Sequence, residues 1–338
     1  MAVLRWALIG AGDIATRRIA PALRDLENCE LVSVSRSRSE LAQEFAEQFG
    51  ASKWFADWRE QVTDREIDAV YIATPVYLHA EQVITAAEAG KHVLCEKPMA
   101  LNVNECDEMI AACKANGVKL GVAYYRRFYP NVIRAKEIIE SGEIGKVSVA
   151  QINAFEYFDP PLDHPRRWLL DKSKSGGGPM MDFGCHRIEV LMNLFGQIRR
   201  VEGATSNSAF NRDVEDTAAA LLRLETGCCA TITITHAAIE SKDTLNIYGT
   251  KGSINVPVLN KGEMFVKVGP EERTEFHPPA ENTHMPLIEE FATAAQNGVR
   301  PAVDGDMGRR VAEIIDQIYV KGGSEEVLLV RNNTTPKS

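Results

Sequence analysis

The chain has 338 residues, 45% of them hydrophobic and 25% charged, which is an ordinary globular composition and enough for two domains. Its net charge of −9 and its pI near 5.4 argue against a nucleic-acid backbone or an anionic membrane as partner, because both call for a basic surface. We therefore expect a small-molecule ligand.

The N-terminus and the cysteines indicate the setting of the protein. Arg5 interrupts the apolar N-terminal run, which leads directly into a glycine-rich turn, so the run predicts a strand rather than a signal peptide. No stretch approaches the roughly 18 apolar residues of a membrane span. The seven cysteines lack Cys-x-x-Cys spacing, which predicts neither disulfides nor a metal site and favours a reduced, cytoplasmic setting.

The first part of the chain alternates short apolar strands with amphipathic helices. This alternation is typical of a doubly wound parallel sheet, so we predict an α/β dinucleotide-binding domain over residues 1–123. The predicted strands are Val3–Ile9, Leu31–Ser35, Ala69–Thr74, His92–Cys95 and Val118–Ala123. The predicted helices between them are Ile14–Leu26, Glu40–Phe49, Leu78–Ala89 and Asn104–Asn116.

The pattern changes after about Tyr124. Later strands alternate in polarity and are joined by short turns, which predicts an open, mainly antiparallel sheet in a second, α+β domain over residues 124–331. The polar tail Asn332–Ser338 is predicted to be mobile. The predicted strands are Val147–Phe158, Asp216–Leu224, Cys228–Thr235, Thr244–Tyr248 and Ser253–Val256. The predicted helices are Asn131–Ser141, Pro179–Phe195, Met285–Gln296 and Met307–Val320.

A glycine-rich turn follows the first predicted strand and opens the first predicted helix. Its pattern, Gly10-x-Gly12-x-x-Ala15, lets backbone N–H groups approach a pyrophosphate at the positive end of a helix. Ala15 permits close packing of that helix on the strand. We predict that this turn binds a dinucleotide through Gly10, Gly12, Asp13, Ile14 and Ala15.

The end of the second strand bears on which dinucleotide is preferred. An acidic residue about 20 positions beyond the fingerprint would bind the ribose 2′-hydroxyl of NAD, but Arg36 stands there, between Ser35 and Ser37. A guanidinium flanked by hydroxyls can hold a 2′-phosphate through charge-assisted hydrogen bonds. We therefore predict that NADP(H) is preferred and that NAD(H) is possible.

Five motifs follow one another along the chain. They are the fingerprint, Ala73-Thr74-Pro75-x-x-x-x-His79, Glu96-Lys97-Pro98, Gly176-Gly177-Gly178 and Asp182-x-Gly184-x-His186. Their order resembles the glucose–fructose oxidoreductase / inositol dehydrogenase / MocA family. The resemblance covers nearly the whole chain and implies a Rossmann domain followed by a domain with an open antiparallel sheet, often used for oligomerisation. Members of the family mostly oxidise or reduce sugars, polyols and related alcohols with NAD(P).

The resemblance also implies roles for individual residues. Lys97, Asp182 and His186 would line the substrate pocket. The nicotinamide half of the cofactor site would be lined by Thr74, Pro75, His79, Glu96 and Lys97. Tyr125 and Arg126 match the segment between the domains that contacts cofactor or substrate. Arg36 departs from the acid that the family often has there, which puts an NAD assignment by analogy in doubt.

The residue types themselves fit proton transfer at an alcohol carbon. Asp182 and His186 are four residues apart and would share one face of a helix, after a triple glycine that we read as a flexible approach. We assign His186 as general acid/base, Lys97 as the donor that stabilises the alkoxide, and Asp182 as the anchor of a substrate hydroxyl. The sequence leaves open whether Lys97 or His186 carries the proton.

Trp168 is predicted to form an aromatic wall against a substrate ring, although a position in the hydrophobic core suits it equally.

The alternatives to a dehydrogenase or reductase are a redox-assisted glycosidase with bound NAD and a non-catalytic nucleotide sensor. The strands from Asp216 to Val256 are apolar on both faces, so we expect one face of their sheet to pack on a second subunit in a homodimer or homotetramer.

Overall fold

The computed structural model describes residues 3–323. The predicted mobile tail, Asn332–Ser338, and the last residues of the second predicted domain lie outside this range. Within it, two sheets with their helices form the two halves of the chain, and the α/β fold class is confirmed.

The first sheet is fully parallel, with the strand order β3-β2-β1-β4-β5-β6. Its central strands are almost completely buried because helices cover both faces. The order reverses between β1 and β4, and ligands of such sheets bind at the carboxyl ends of the strands beside that point. The strands are β1 Leu4–Ile9, β2 Cys29–Ser35, β3 Lys53–Phe55, β4 Ala69–Ile72, β5 His92–Cys95 and β6 Leu120–Val122.

The helices of this half confirm the predicted alternation, with two additions that the sequence reading missed. The three residues of β3 and the five of α3 are too short to show a periodic pattern. The first predicted helix begins as a π-helical turn, Ala15–Ile19, and continues as α1. The α-helices are α1 Ala20–Asp25, α2 Ser39–Phe49, α3 Trp58–Val62, α4 His79–Glu88 and α5 Val103–Ala115.

The second sheet has eight strands in the order β14-β13-β12-β11-β7-β10-β9-β8. It is mainly antiparallel, as predicted, but β7 and β10 pair in parallel, so the sheet is mixed. The first four of its strands in the chain are β7 Val147–Tyr157, β8 Ile198–Ser206, β9 Thr217–Leu224 and β10 Cys229–Thr235. The others are β11 Ala237–Gly249, β12 Gly252–Val256, β13 Glu263–Val268 and β14 Glu271–Phe276.

Three strands of this sheet were not predicted. In β8 and β14 most side chains are exposed and many are charged, which suits strands at the two edges but hides them from a hydrophobic pattern. In β13 only Met264 and Val266 are buried. The helices of this half are α6 Pro130–Glu140, α7 Lys172–Ser175, α8 Cys185–Phe195, α9 Met285–Gln296 and α10 Gly305–Gly323.

The last two helices connect the two halves. Phe291 of α9 packs on Trp6 of β1, with ring centroids 5.7 Å apart, and α10 contacts both α5 and β8. One continuous hydrophobic core therefore extends from the first sheet to the inner face of the second. Within residues 3–323, every helix is too short or too polar to cross a bilayer.

Candidate active site

The glycine turn has the shape that its sequence predicts. Gly10 follows β1 with φ of 93°, and a side chain there would overlap the backbone of Ala73 and the side chain of Thr74. Glycine therefore lets the loops after β1 and β4 touch. Gly12 is exposed with open space beside it, just before the helix begins. The exposed turn and the helix N-terminus fit a dinucleotide pyrophosphate.

Arg36 lies at the same edge of the sheet. Ser35 ends β2 in a buried position, and the backbone N–H of Arg36 donates to the carbonyl of Phe55 at 3.2 Å. Among residues 3–323, neither Arg36 nor Arg38 forms an ion pair with a carboxylate. The Arg36 guanidinium, half-buried beside Ser37, is therefore available to an anionic group.

The loops after β4 and β5 are held together by His79. Its two ring nitrogens lie 2.9 Å from the carbonyl oxygen of Thr74 and 3.0 Å from that of Pro98. Burial lowers the pKa of His79. The neutral ring has one N–H, so one of the two carbonyls accepts its hydrogen bond and the other lies in contact with the ring. The hydroxyl of Thr74 donates to Gln82 at 2.6 Å. These contacts make His79 a support for both loops, and cofactor contact by Thr74, Pro75 or His79 stays a prediction.

Glu96 is buried behind the site. Its carboxylate accepts a hydrogen bond from Tyr71 at 2.9 Å and lies 3.5 Å from His284. Burial raises the pKa of Glu96, but His284 and Lys97 outweigh this and leave it lowered. The next peptide bond, Lys97-Pro98, is cis. Glu96 thus stabilises the turn that presents Lys97.

Lys97 and Asp182 meet across the two halves of the chain. The Lys97 ammonium donates to the backbone oxygen of Asp182 at 2.8 Å and to its Oδ1 at 3.4 Å. Burial disfavours the charge on Lys97, but Asp182 outweighs it and raises the lysine's pKa. Burial likewise opposes the charge on Asp182, yet Lys97 and Arg166 lower its pKa. Both groups are therefore charged at neutral pH, and the Lys97 ammonium donates its hydrogen bonds to Asp182.

His186 is buried next to Tyr125, which lines the cavity. Its side chain is 2% exposed, and its ring packs edge-on against Tyr124 and Tyr125, with centroids 5.6 and 4.7 Å away. Burial, and then the charges of Lys97 and Arg126, lower its pKa well below the usual range. Its Nδ1 is buried and has no hydrogen-bond partner within residues 3–323. The imidazole of His186 is thus neutral at neutral pH.

The segment that carries these residues differs from the predicted helix in one respect. Asp182 belongs to a π-helical turn, Met180–Gly184, whereas His186 lies in α8. A π turn is wider than an α turn, so the two residues do not share one face in the way that α-helical spacing predicts. The turn lets Asp182 bond Lys97 while His186 packs under Tyr125.

The triple glycine is required by close packing, which corrects the reading of it as a flexible approach. A side chain on Gly177 would overlap Tyr319, and one on Gly178 would overlap the backbone of Glu215. The buried Glu215 carboxylate accepts hydrogen bonds from the backbone N–H groups of Gly178 at 2.8 Å and Met180 at 3.1 Å. Glu215 thus fixes the start of the segment that carries Asp182.

A cavity of about 520 Å³ opens beside Asp182, against strands of the second sheet. Its charged wall includes Arg126 and Arg187, which bond Asp243 at 3.2 and 2.7 Å. Arg127 turns the other way, toward Glu189 and the carbonyl of Ala302. The lining residues are Tyr125, Arg126, Ala154, Phe155, Glu156, Arg166, Asp182, Phe183, Arg187, Ser241, Lys242, Asp243, Val258 and Asn260.

A second cavity, of about 390 Å³, continues toward the glycine turn. It shares Tyr125, Arg126 and Asn260 with the first and reaches Ile14 within the fingerprint. Tyr125 and Arg126, predicted from the sequence, therefore stand where the two cavities meet. The structure thus connects the predicted dinucleotide turn to the Lys97–Asp182 pair.

Trp168 lies outside the lining of this cavity. It packs half-buried against a small apolar cluster that includes Phe158 and Leu170, which is the core position that the sequence left open. The sequence reading missed other polar wall residues because they belong to no motif. They are Glu156 on β7, Arg187 on α8, Asp243 on β11 and, just behind the wall, His236 after β10.

The family model of an oxidoreductase family with an NAD-binding Rossmann fold matches residues 4–124. The trans-1,2-dihydrobenzene-1,2-diol dehydrogenase of Mus musculus is 32% identical over 82% of this chain and 80% of its own length. The chain belongs to the Gfo/Idh/MocA family. Members of this family are oxidoreductases, and this chain is an enzyme of that class.

The second half of this Gfo/Idh/MocA protein supports the same family assignment. A Gfo/Idh/MocA C-terminal domain model matches residues 132–255. The myo-inositol 2-dehydrogenase of Thermotoga maritima is 28% identical over 90% of this chain and 92% of its own length. A solved levoglucosan dehydrogenase, in complex with NADH and levoglucosan, is 28% identical and superposes with a TM-score of 0.87, covering 94% of this chain and 97% of the other.

Proposed function

We propose that this enzyme transfers hydride between NADP(H) and a hydroxyl-bearing carbon of a ring-shaped sugar, polyol or related cyclic alcohol. The observation that carries the proposal is the pair of adjoining cavities, one reaching the glycine turn and the other holding Asp182 beside Lys97. The relatives' named substrates, a dihydrodiol, inositol and levoglucosan, are all rings with neighbouring hydroxyl groups.

The charge state of each side chain indicates its role in proton transfer. A bound nicotinamide dinucleotide supplies the hydride acceptor or donor. Lys97, held as a cation, donates to the reacting oxygen and stabilises its negative charge. His186, held neutral, accepts the hydroxyl proton in the oxidative direction. Asp182 keeps Lys97 in place and accepts a hydrogen bond from a substrate hydroxyl. The charge states favour His186 as the base, because a lysine of raised pKa seldom loses its proton.

The preference for NADP(H) rests on Arg36. Arg36 follows the carboxyl end of β2, has no ion-pair partner within residues 3–323 and is next to Ser37 in the sequence. A 2′-phosphate there would gain charge-assisted hydrogen bonds, whereas the unphosphorylated ribose of NAD would offer the guanidinium no anionic partner. Because the solved relative is bound to NADH, we propose that NAD(H) is accepted as well. It should bind more weakly than NADP(H), since it lacks the 2′-phosphate.

The same enzyme is proposed to work in a reducing compartment as a homodimer or homotetramer. Its seven cysteines are all free thiols. The outer face of the second sheet exposes apolar side chains such as Val149, Leu221 and Tyr248, which a second copy would cover. Light scattering should give two or four times the chain mass of 37.3 kDa. A single chain mass at micromolar concentration would contradict the assembly.

The activity is tested by following the absorbance of the reduced nicotinamide with each cofactor. Levoglucosan, myo-inositol and trans-1,2-dihydrobenzene-1,2-diol are offered with NADP and NAD in parallel. We expect turnover of at least one ring alcohol, faster with NADP at low concentration. Release of a sugar from a glycoside with no net change in absorbance would favour the glycosidase alternative, which the dehydrogenase names of the relatives do not support.

A further inference from the structure

His236 is fixed in position behind the cavity wall. It follows β10 and is fully buried; its backbone N–H donates to Asp216 at 2.8 Å, and its carbonyl accepts from Phe158 at 2.9 Å. The ring lies between Phe158 and Phe183, with centroids 5.0 and 5.3 Å away. Backbone and ring contacts on several sides hold the imidazole in one orientation.

A neighbouring arginine fixes which ring nitrogen carries the proton. The Arg212 guanidinium lies 2.8 Å from Nδ1 of His236, and a guanidinium can only donate hydrogen bonds. Nδ1 must therefore be the acceptor, and the proton of the neutral ring lies on Nε2. Burial lowers the pKa of His236 to about 4, so the neutral ring is the form present at neutral pH.

The Nε2–H group is directed at two carboxylates but reaches neither. It lies 3.5 Å from Oε1 of Glu156 and 3.9 Å from Oδ2 of Asp182. Within residues 3–323 this buried nitrogen has no hydrogen-bond partner. A buried donor without a partner is unfavourable, so the gap between the three groups suits a bound polar atom.

The chemistry of the three groups selects the ligand. Glu156, Asp182 and His236 are close enough to hold a metal ion, but a metal needs the lone pair of the nitrogen, and Nε2 carries a proton. Lys97 and Arg166 add positive charge at Asp182. A hydroxyl group suits His236 and one of the two carboxylates at once, because its oxygen accepts from Nε2–H while its single proton is donated to a carboxylate.

We propose that His236 and Glu156 form a subsite for a second substrate hydroxyl, next to the hydroxyl that Asp182 and Lys97 hold for reaction. Glu156 lines the cavity, and its half-exposed carboxylate faces the same gap. The enzyme would thereby select vicinal diols over simple ring alcohols. This inference rests on the proposed oxidoreductase function and specifies its substrate class.

The test compares two alcohols that differ by one hydroxyl, trans-cyclohexane-1,2-diol and cyclohexanol. In the wild type we expect kcat/KM for the diol to exceed that for cyclohexanol by about 100-fold or more, since a site built to bond a hydroxyl rejects analogues that lack it. His236→Phe keeps a ring in an aromatic setting and removes the donor. It should reduce the diol preference about tenfold or more, chiefly through KM, and His236→Gln should restore part of it.

Two controls make the result specific. His277→Phe changes a histidine beyond the second sheet's edge strand and should leave the preference unchanged. An unchanged preference in His236→Phe, with wild-type unfolding behaviour, would overturn the subsite.

The ¹⁵N resonance of the His236 Nε2, followed while the diol or cyclohexanol is added, reports binding without turnover. If neither alcohol is oxidised but only the diol shifts this resonance, the subsite stands and the proposed reaction fails. No shift with either alcohol would overturn the subsite.

Discussion

The carboxyl edge of the first sheet and the wall formed by the second sheet approach the same cavity in different ways. At the first edge, polar side chains such as His79 and Thr74 are bonded to neighbouring loops, and what faces outward is glycine backbone and, within residues 3–323, two arginines without an ion pair, Arg36 and Arg38. At the second wall, charged side chains crowd together. In the proposed function the first region holds the nucleotide and the second contacts the substrate, with Lys97 where they meet.

The largest expected effect comes from breaking the proton-transfer pair at that meeting point. His186→Ala removes the base, and Lys97→Met removes the donor to the reacting oxygen at nearly constant length. Each should lower kcat by about 10²–10⁴. The double variant should lose less than the product of the two effects, because the residues act together. Steady-state kinetics at saturating cofactor measures all three.

The outcome separates the roles of the two residues. Wild-type turnover in His186→Ala at every pH, with an inactive Lys97→Met, would make the lysine the base and reverse our assignment. Activity in both variants would place the site elsewhere. His277→Ala is the matched control: His277 lies outside the lining of both cavities, so this variant should keep wild-type turnover.

The two regions also differ in how much of their structure could be predicted from the sequence. Strands buried on both faces, such as β4, give uninterrupted apolar runs, and their loops carry recognisable motifs around Gly10 and Lys97. The edge strands β8 and β14 lack such runs. His236 belongs to no motif, since its significance depends on Arg212 and Glu156, which only the folded sheet brings near. The triple glycine was found, but its cause, contact with Tyr319 and Glu215, is a long-range packing effect.

A smaller effect should follow from changing the nucleotide-holding edge. Arg36→Asp replaces the cation with a carboxylate that repels a 2′-phosphate and can accept a ribose hydroxyl. The lost charged hydrogen bond is worth about 1.5–3 kcal/mol, or roughly one to two decades in affinity. The Kd of NADPH should rise accordingly and that of NADH should fall. Identical NADPH titrations for the wild type and the variant would show that Arg36 lies outside the site.

The smallest effect concerns the stability of the second wall. The pKa of His236 is lowered from 6.5 to about 4 in the folded protein, so below pH 6.5 the unfolded chain binds a proton that the fold excludes. Stability present above pH 6.5 is therefore lost as the pH falls, by up to about 1.4 kcal/mol per pH unit. Urea unfolding at several pH values should show a shallower loss for His236→Phe. Equal slopes would mean that His236 is already charged in the fold.

The central claim is that the first region binds the cofactor and that the chemistry depends on the second. It is tested most directly by measuring kcat and the NADPH Kd in four proteins: the wild type, Arg36→Asp, His186→Ala and the double variant. We predict that Arg36→Asp changes Kd while kcat at saturating NADPH stays near the wild-type value. His186→Ala should do the reverse, and the double variant should show both effects at full size. A His186→Ala protein that loses NADPH affinity as strongly as Arg36→Asp, or an Arg36→Asp protein that stays slow at saturation, would contradict the account.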